Sequence, residues 1–306
     1  MKKLFLIDGN AIIHRAFHAL PPFKSSKGEL VNAVYGFCSM LLTILNSEKP
    51  DYIAVSFDLK GPTFRHTEYK EYKATRVKAP DGLYEQIPKI RAIVEAFSIP
   101  IYEHEGFEAD DVLGTLATQA EKIPDLITYI VTGDMDALQM VSEKTKVLAP
   151  FKGFAQTITY DIAQVFEKCQ LKPEQIPDMK GLCGDTSDNI KGVAGIGPKT
   201  ACDLLTKYGT IENIYEHLEE ITGKIKEKLE KDKESAFFSK RLATIIRDVP
   251  VILNLPSCKT HEYDRTKVLE LFQDYQFRSL IPKLTNFDNH AVEQKNSEDG
   301  IQQALF

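Results

Sequence analysis

Leu4-Phe5-Leu6-Ile7-Asp8-Gly9-Asn10 decides how the chain folds. Four apolar residues run without a break and stop at a carboxylate, the form of a short strand buried on both faces. Two further runs repeat it, Tyr52 to Asp58 and Ile127 to Asp134. Helical periodicity fills the intervals, at Val31 to Leu45, Gln86 to Phe97 and Ala109 to Lys122. Strands alternating with helices predict an α/β fold, a parallel sheet with helices on both sides. Ligands of such sheets bind beyond the carboxyl ends of the strands. Asp8, Asp58 and Asp134 would all emerge at that edge.

The alternation stops near residue 170. Pro173 to Leu284 reads as helices and glycine turns, a second, α-rich lobe, and residues 286–306 turn polar, as a loose tail or linker does. Of the 306 residues, 43% are hydrophobic and 27% charged, an ordinary globular mixture. No apolar run reaches the roughly 18–20 residues of a membrane span. The opening residues imitate a signal peptide only until Asp8 cuts the apolar run short. Five scattered cysteines, Cys38, Cys169, Cys183, Cys202 and Cys258, include no Cys-x-x-Cys pair, so reduced thiols of a cytoplasmic protein are expected. His14 and His18 lie one helical turn apart, but no Glu follows His14, so the zinc-protease motif is missing.

Thirty-eight basic residues stand against 44 acidic ones, a net charge of −6. By itself that argues against a nucleic-acid partner. Nine of the acids, however, fall in short clusters: Asp8, Asp58, Glu108-Ala109-Asp110-Asp111, Asp134-Met135-Asp136 and Asp185-Thr186-Ser187-Asp188. Without them the remaining 35 acids leave an excess of three positive charges, an acidic pocket in a mildly basic shell. Any one cluster could be a helix cap, because acids favour helix N-termini. Nine carboxylates converging on one edge would repel strongly unless cations lay between them. An all-oxygen donor set favours Mg²⁺ or Mn²⁺, and two such ions about 3.5–4 Å apart can clamp a phosphodiester.

Between Lys60 and Arg91 there are eight basic and four acidic residues. Pro62 and Pro80 bracket an expected helix, on which Tyr69, Tyr72, Lys73 and Arg76 would share a face. Rings for bases beside cations for phosphates suit single-stranded nucleic acid; a solvated helix with half-buried tyrosines is the alternative. Gly192-Val193-Ala194-Gly195-Ile196-Gly197-Pro198-Lys199-Thr200 is neither a Walker loop nor a dinucleotide fingerprint. Pro198 fits the first position of a helix, so the segment reads as helix, glycine hairpin, helix. Gly195 and Gly197 would let the backbone approach a phosphate, with a special φ at Gly197 one reason for glycine there. An ordinary αα-hairpin is the alternative.

Together these motifs resemble the bacterial 5′-nuclease, or flap endonuclease, family, above all the N-terminal 5′→3′ exonuclease domain of DNA polymerase I. The likeness runs from Met1 to about Leu284 and also takes in Phe57-Asp58, Phe64-Arg65, Tyr72-Lys73-Ala74-Thr75-Arg76, Thr132-Gly133-Asp134 and Gly184-Asp185. It implies a PIN-like nuclease core over 1–170, with a helical arch at about 60–91, then a helix-hairpin-helix region over 171–285. It implies two divalent ions, Mg²⁺ with Mn²⁺ as substitute, the first held around Asp8, Asp58, Glu108, Asp110, Asp111, Asp134 and Asp136 and the second by Asp185 and Asp188. Lys73, Arg76 and Arg15 would act at the scissile phosphate. Tyr72, Tyr69, Arg65, Gly192, Gly195, Gly197, Lys199 and Thr200 would contact DNA, with K⁺ at the hairpin in some relatives. The implied enzyme is a monomeric, cytoplasmic, nucleoid-associated hydrolase that removes 5′ flaps and RNA primers from flapped, nicked, gapped or RNA-primed duplex, leaving 5′-phosphate ends. It would be free-standing or the nuclease part of a longer polymerase. Two other readings stay open: a phosphatase using Asp134-x-Asp136, and a non-catalytic binder of branched DNA.

Overall fold

The computed structural model describes residues 1–151, 156–260 and 263–284; the polar tail expected at 286–306 lies outside them. β1 (Lys2–Asp8) is followed by α1 (Gly9–Ala19), α2 (Asn32–Thr43), β2 (Tyr52–Ser56), α3 (Phe64–Glu68), α4 (Asp81–Tyr84), α5 (Ile87–Ala96) and β3 (Ile101–Tyr102). Next come α6 (Ala109–Ala120), β4 (Leu126–Val131), β5 (Thr145–Phe151) and β6 (Gln156–Tyr160). The remainder is helical: α7 (Ile162–Cys169), α8 (Ile176–Cys183), α9 (Pro198–Tyr208), α10 (Ile211–Glu216), α11 (Gly223–Lys231), α12 (Lys233–Ala243) and α13 (Arg265–Asp274).

The strands form one sheet in the order β3-β2-β1-β4-β5-β6. Every pairing is parallel except β5 with β6. The continuous apolar run of β1 is explained by its two faces. Phe5 and Ile7 pack with Ile12 of α1, Phe37 of α2 and Ile93 of α5. Leu4 and Leu6 pack with Val112 and Leu116 of α6. Register levels the strand ends: Asp8 lies opposite Ser56, and Ile7 opposite Val131. The chain leaves β1 towards β2 on one side and meets β4 on the other, so the crevice of this doubly wound sheet opens at the carboxyl end of β1. Gly9 follows there because a Cβ would lie 2.2 Å from the Phe57 ring.

A third cluster, built from Leu182, Val193, Leu205, Ile214, Leu229 and Ala236, forms the helical lobe. The chain then returns. Ile245, Val249 and Cys258 join the α6 side of the sheet, and Val268 and Phe272 join the α2–α5 side. Part of the stretch expected to form the second lobe thus completes the first core. Among the described residues no helix is long and apolar enough to cross a membrane.

One local expectation fails. The helix anticipated between Pro62 and Pro80 is only α3, five residues long. Tyr69 is extended, with φ −138°, and Lys73 is left-handed, with φ 55°. The Lys73 N–H donates to the Asp188 carbonyl, 3.0 Å away, where a helix would have used Tyr69. Turns carry residues 70–76, so Tyr69, Tyr72, Lys73 and Arg76 share no helical face. The pattern of rings and cations looked helical, but Tyr72, Lys73 and Arg76 are held by the Glu108 and Asp188 carboxylates while the Lys73 N–H turns to the Asp188 carbonyl.

Candidate active site

A cavity of about 320 Å³ opens at the strand ends. Asp8, Asp58, Glu108, Asp110 and Asp134 line it, together with Asn10, His14, Lys73 and Arg76. A smaller cleft shares Lys73, Glu108, Asp110 and Asp134 with it and adds Asp136 and Asp188. Three of these carboxylates are positioned by hydrogen bonds, some local and some from distant elements. Asp8 caps α1, accepting from Ala11 N at 2.9 Å, and also accepts from the Thr132 hydroxyl at 2.8 Å. Asp58 accepts from Ala109 N and Asn10 Nδ2, both at 2.7 Å. Asp134 caps the short turn after β4, accepting from Asp136 N at 2.9 Å. These bonds each use a lone pair and leave the carboxylates directed at one another.

The resulting electrostatics are unfavourable without cations. Burial, with Asp58 and Asp134 nearby, pushes Asp8 up to about 7. Burial, then Asp8, Asp134 and Asp58, raises Asp110 well above the carboxylate range. Burial raises Asp136 to about 6 despite Lys180. Asp185 goes the other way: burial would raise it, but Lys180 and Ser187 outweigh that and hold it at about 2. Two observations fit divalent ions. Asp110 Oδ1 is buried with no hydrogen-bond partner among the described residues. Asp136, Asp185 and Asp188 each place one oxygen within 4.8 Å of the others. A donor set made of carboxylate oxygens suits a hard divalent cation.

Protons and ions should therefore compete here. Unfolded carboxylates ionise near pH 4, so the stability that Asp8 and Asp136 lend is complete below that value and is lost as pH rises to about 7. His14, lowered chiefly by burial, acts in the opposite sense but is a single group. Ion-free protein should melt lower at about pH 8 than at about pH 5, and Ca²⁺ should raise the melting temperature more at the higher pH. A Ca²⁺ increment that does not grow with pH would count against the cluster.

Several expected site residues have other tasks. Asp111 is fully buried, and Arg65 is 3% exposed. The Arg65 guanidinium forks onto both Asp111 oxygens at 2.6 and 2.8 Å and donates to the Leu242 and Thr244 carbonyls. Asp111 also accepts from the backbone N–H groups of Glu108 and Ile246. Its oxygens are thus committed to joining α3, α6 and the segment after α12, and neither residue lines the larger cavity. Tyr72 is buried, its hydroxyl 3.1 Å from Glu108 and 3.0 Å from Asp188, so it presents no free ring face for stacking. Tyr69 points away, edge-on to Phe238 at 5.7 Å.

Lys73 and Arg76 do reach the cluster, pairing with Glu108 at 2.8 Å and Asp188 at 2.5 Å. Arg15 is half-buried beside the Gly133 turn, and its Nε lacks a partner among the described residues. In the hairpin, Gly192 is buried: φ is 64°, and a Cβ would lie 2.2 Å from Gly184 N, so packing explains this glycine. Gly195, Gly197 and Lys199 are exposed and Thr200 half-buried at the start of α9. Gly197 is its extended N-cap, φ −97°, and needs no special φ.

Lys180 escaped the sequence reading, Asn10 was given no role there, and His14 was weighed only as half of a zinc pair with His18. Asn10 and His14 lie one turn apart on α1, a spacing visible once Asp8 is known to cap that helix. Lys180 sits five residues before Asp185 with nothing in the pattern to separate it from a surface lysine.

A profile of the 5′-3′ exonuclease N-terminal resolvase-like domain matches residues 3–170, and one of the 5′-3′ exonuclease C-terminal SAM fold matches residues 171–266. DNA polymerase I of Caldicellulosiruptor bescii is 45% identical over 284 residues, covering 92% of this chain and 33% of the relative. DNA polymerase I of Bacillus subtilis is 44% identical over 299 residues, covering 97% and 34%. The chain thus spans about a third of the length of these curated relatives. The fold is that of T5 5′-exonuclease with bound zinc (TM-score 0.64, 21% identity, 95% of this chain and 99% of that one). It is also that of flap endonuclease-1 from Methanococcus jannaschii (TM-score 0.60, 16% identity, 96% and 93%). With both of its domains matched and its carboxylates gathered at the strand ends, the chain belongs to the 5′-3′ exonuclease family.

Proposed function

We propose that this chain is a Mg²⁺-dependent 5′-nuclease that cleaves flapped, nicked, gapped or RNA-primed duplex, removing 5′ flaps and RNA primers and leaving a 5′-phosphate and a 3′-hydroxyl. The observation that carries this reading is the convergence of carboxylates from three strand ends, α6 and the helical lobe on one cleft that Lys73 and Arg76 also enter. Asp8, Asp110 and Asp134 would hold one ion, with Asp58 and Glu108 around it; Asp136, Asp185 and Asp188 would hold the other. Bound divalent ions supply a water made nucleophilic near neutral pH and charge stabilisation at the leaving oxygen. Lys73 and Arg76 would turn from Glu108 and Asp188 to the phosphate, neutralising charge that grows during cleavage. Arg15, with an unused Nε, would orient the same phosphate.

The exposed tips Gly195 and Gly197, with Lys199 and Thr200 at the N-terminus of α9, would hold the duplex backbone, with K⁺ as an added ligand of the hairpin. Residues 1–170 would thus carry most of the chemistry, joined by Asp185 and Asp188, and much of 171–285 the duplex contacts, in a monomer working at the nucleoid beside, or fused to, a polymerase. The test is selectivity. A 5′-labelled flap should be cut near its junction, while a 3′ flap, a blunt duplex and a small phosphomonoester should not. Turnover of the phosphomonoester with no flap cleavage would favour the phosphatase reading.

Lys73→Ala should lower the single-turnover cleavage rate by about 10²–10³ with a much smaller change in flap affinity. Arg76→Ala should behave alike. Loss of a lysine that only tracks phosphates would instead weaken binding and flatten its salt dependence by about one unit. The two constants, measured in the same salt, separate these outcomes.

A further inference from the structure

Lys180 lies inside the Asp136–Asp185–Asp188 group. Its side chain is 12% exposed, and its Nζ pairs with Asp136 and lies 2.5 Å from Asp185 Oδ2. The three carboxylates bring one oxygen each within 4.8 Å of the others, so the ammonium takes up charge that a divalent ion would also use. The backbone beneath it is closely packed. A Cβ on neighbouring Gly181 would lie 2.9 Å from the Ala236 carbonyl of α12, so α8 and α12 are in close contact and the flexible Lys180 side chain is the part of α8 that yields most easily. A tethered cation faces its carboxylates at high effective concentration, and a free ion has to outcompete it.

We propose that Lys180 is a built-in competitor for the second divalent ion: it holds Asp136 and Asp185 together in the ion-free protein, lowers their affinity for the ion and swings out when the ion enters. This rests on reading the cluster as an ion centre and adds to it a residue that controls how easily the second position fills.

The test is a Mn²⁺ titration of the full chain without DNA at about pH 8, followed by electron paramagnetic resonance. Lys180→Met should bind the second Mn²⁺ at least about tenfold more tightly than the unmodified chain, because a positive charge next to the site is gone. Lys180→Arg should stay close to the unmodified chain. Two ions bound with unchanged or weaker second affinity in Lys180→Met would overturn the proposal while leaving the ion centre standing. An unmodified chain that binds no Mn²⁺ would overturn both. A measurement without substitution guards against misfolding: acetylation of Lys180, followed by peptide mass spectrometry, should accelerate severalfold on saturation with Mn²⁺, and an unchanged rate would also overturn the proposal.

Discussion

Arg65→Ala should cost the fold about 3–5 kcal/mol, the usual penalty for leaving one partner of a buried ion pair alone. Asp111 would keep a charge in a fully buried position, and the Leu242 and Thr244 carbonyls would lose their donor. Arg65→Lys should fall between, because an ammonium cannot fork onto both Asp111 oxygens. Urea unfolding measures the loss directly. A variant of unchanged stability, with weaker and less salt-dependent DNA binding, would return Arg65 to the DNA surface.

Asp8→Asn and Asp185→Asn should each lower cleavage by roughly a thousandfold or more, since an ion that supplies several kcal/mol of charge stabilisation is lost or misplaced. Flap affinity should change little, because the hairpin and α9 are untouched. The two should part company in ion-free stability. Asp8→Asn removes a carboxyl whose ionisation is unfavourable, so at neutral pH it should raise the melting temperature. Asp185→Asn removes a favourable partner of Lys180 and should lower it. Near wild-type turnover at saturating Mg²⁺ in either variant would remove that residue from the centre, and equal shifts in melting temperature would contradict the electrostatic account.

The sheet was legible because β1, β2 and β4 are largely buried apolar runs with an aspartate at the strand end or within three residues after it, Asp8, Asp58 and Asp134. β6 was not read, since it is an antiparallel strand at the sheet edge and none of its residues is fully buried. The structure brings most of the acidic clusters together beyond the strand ends, but their spacing did not say which side chain faces the cleft. Glu108, Asp110 and Asp111 are adjacent in sequence, yet helical geometry turns Asp110 into the cleft and Asp111 towards Arg65. Motif spacing carries no such sign. The turn at Lys73 was hidden for a related reason: its N–H is bonded to the backbone carbonyl of Asp188, 115 residues later, and no local periodicity encodes so distant a partner.

The most direct measurement is single-turnover incision of a labelled 5′-flap duplex by one preparation, in Mg²⁺ and in EDTA, with binding measured in both. The account predicts binding in both conditions, incision near the junction in Mg²⁺ and none in EDTA. Undiminished incision in EDTA, or an intact flap at every Mg²⁺ concentration despite binding, would contradict it.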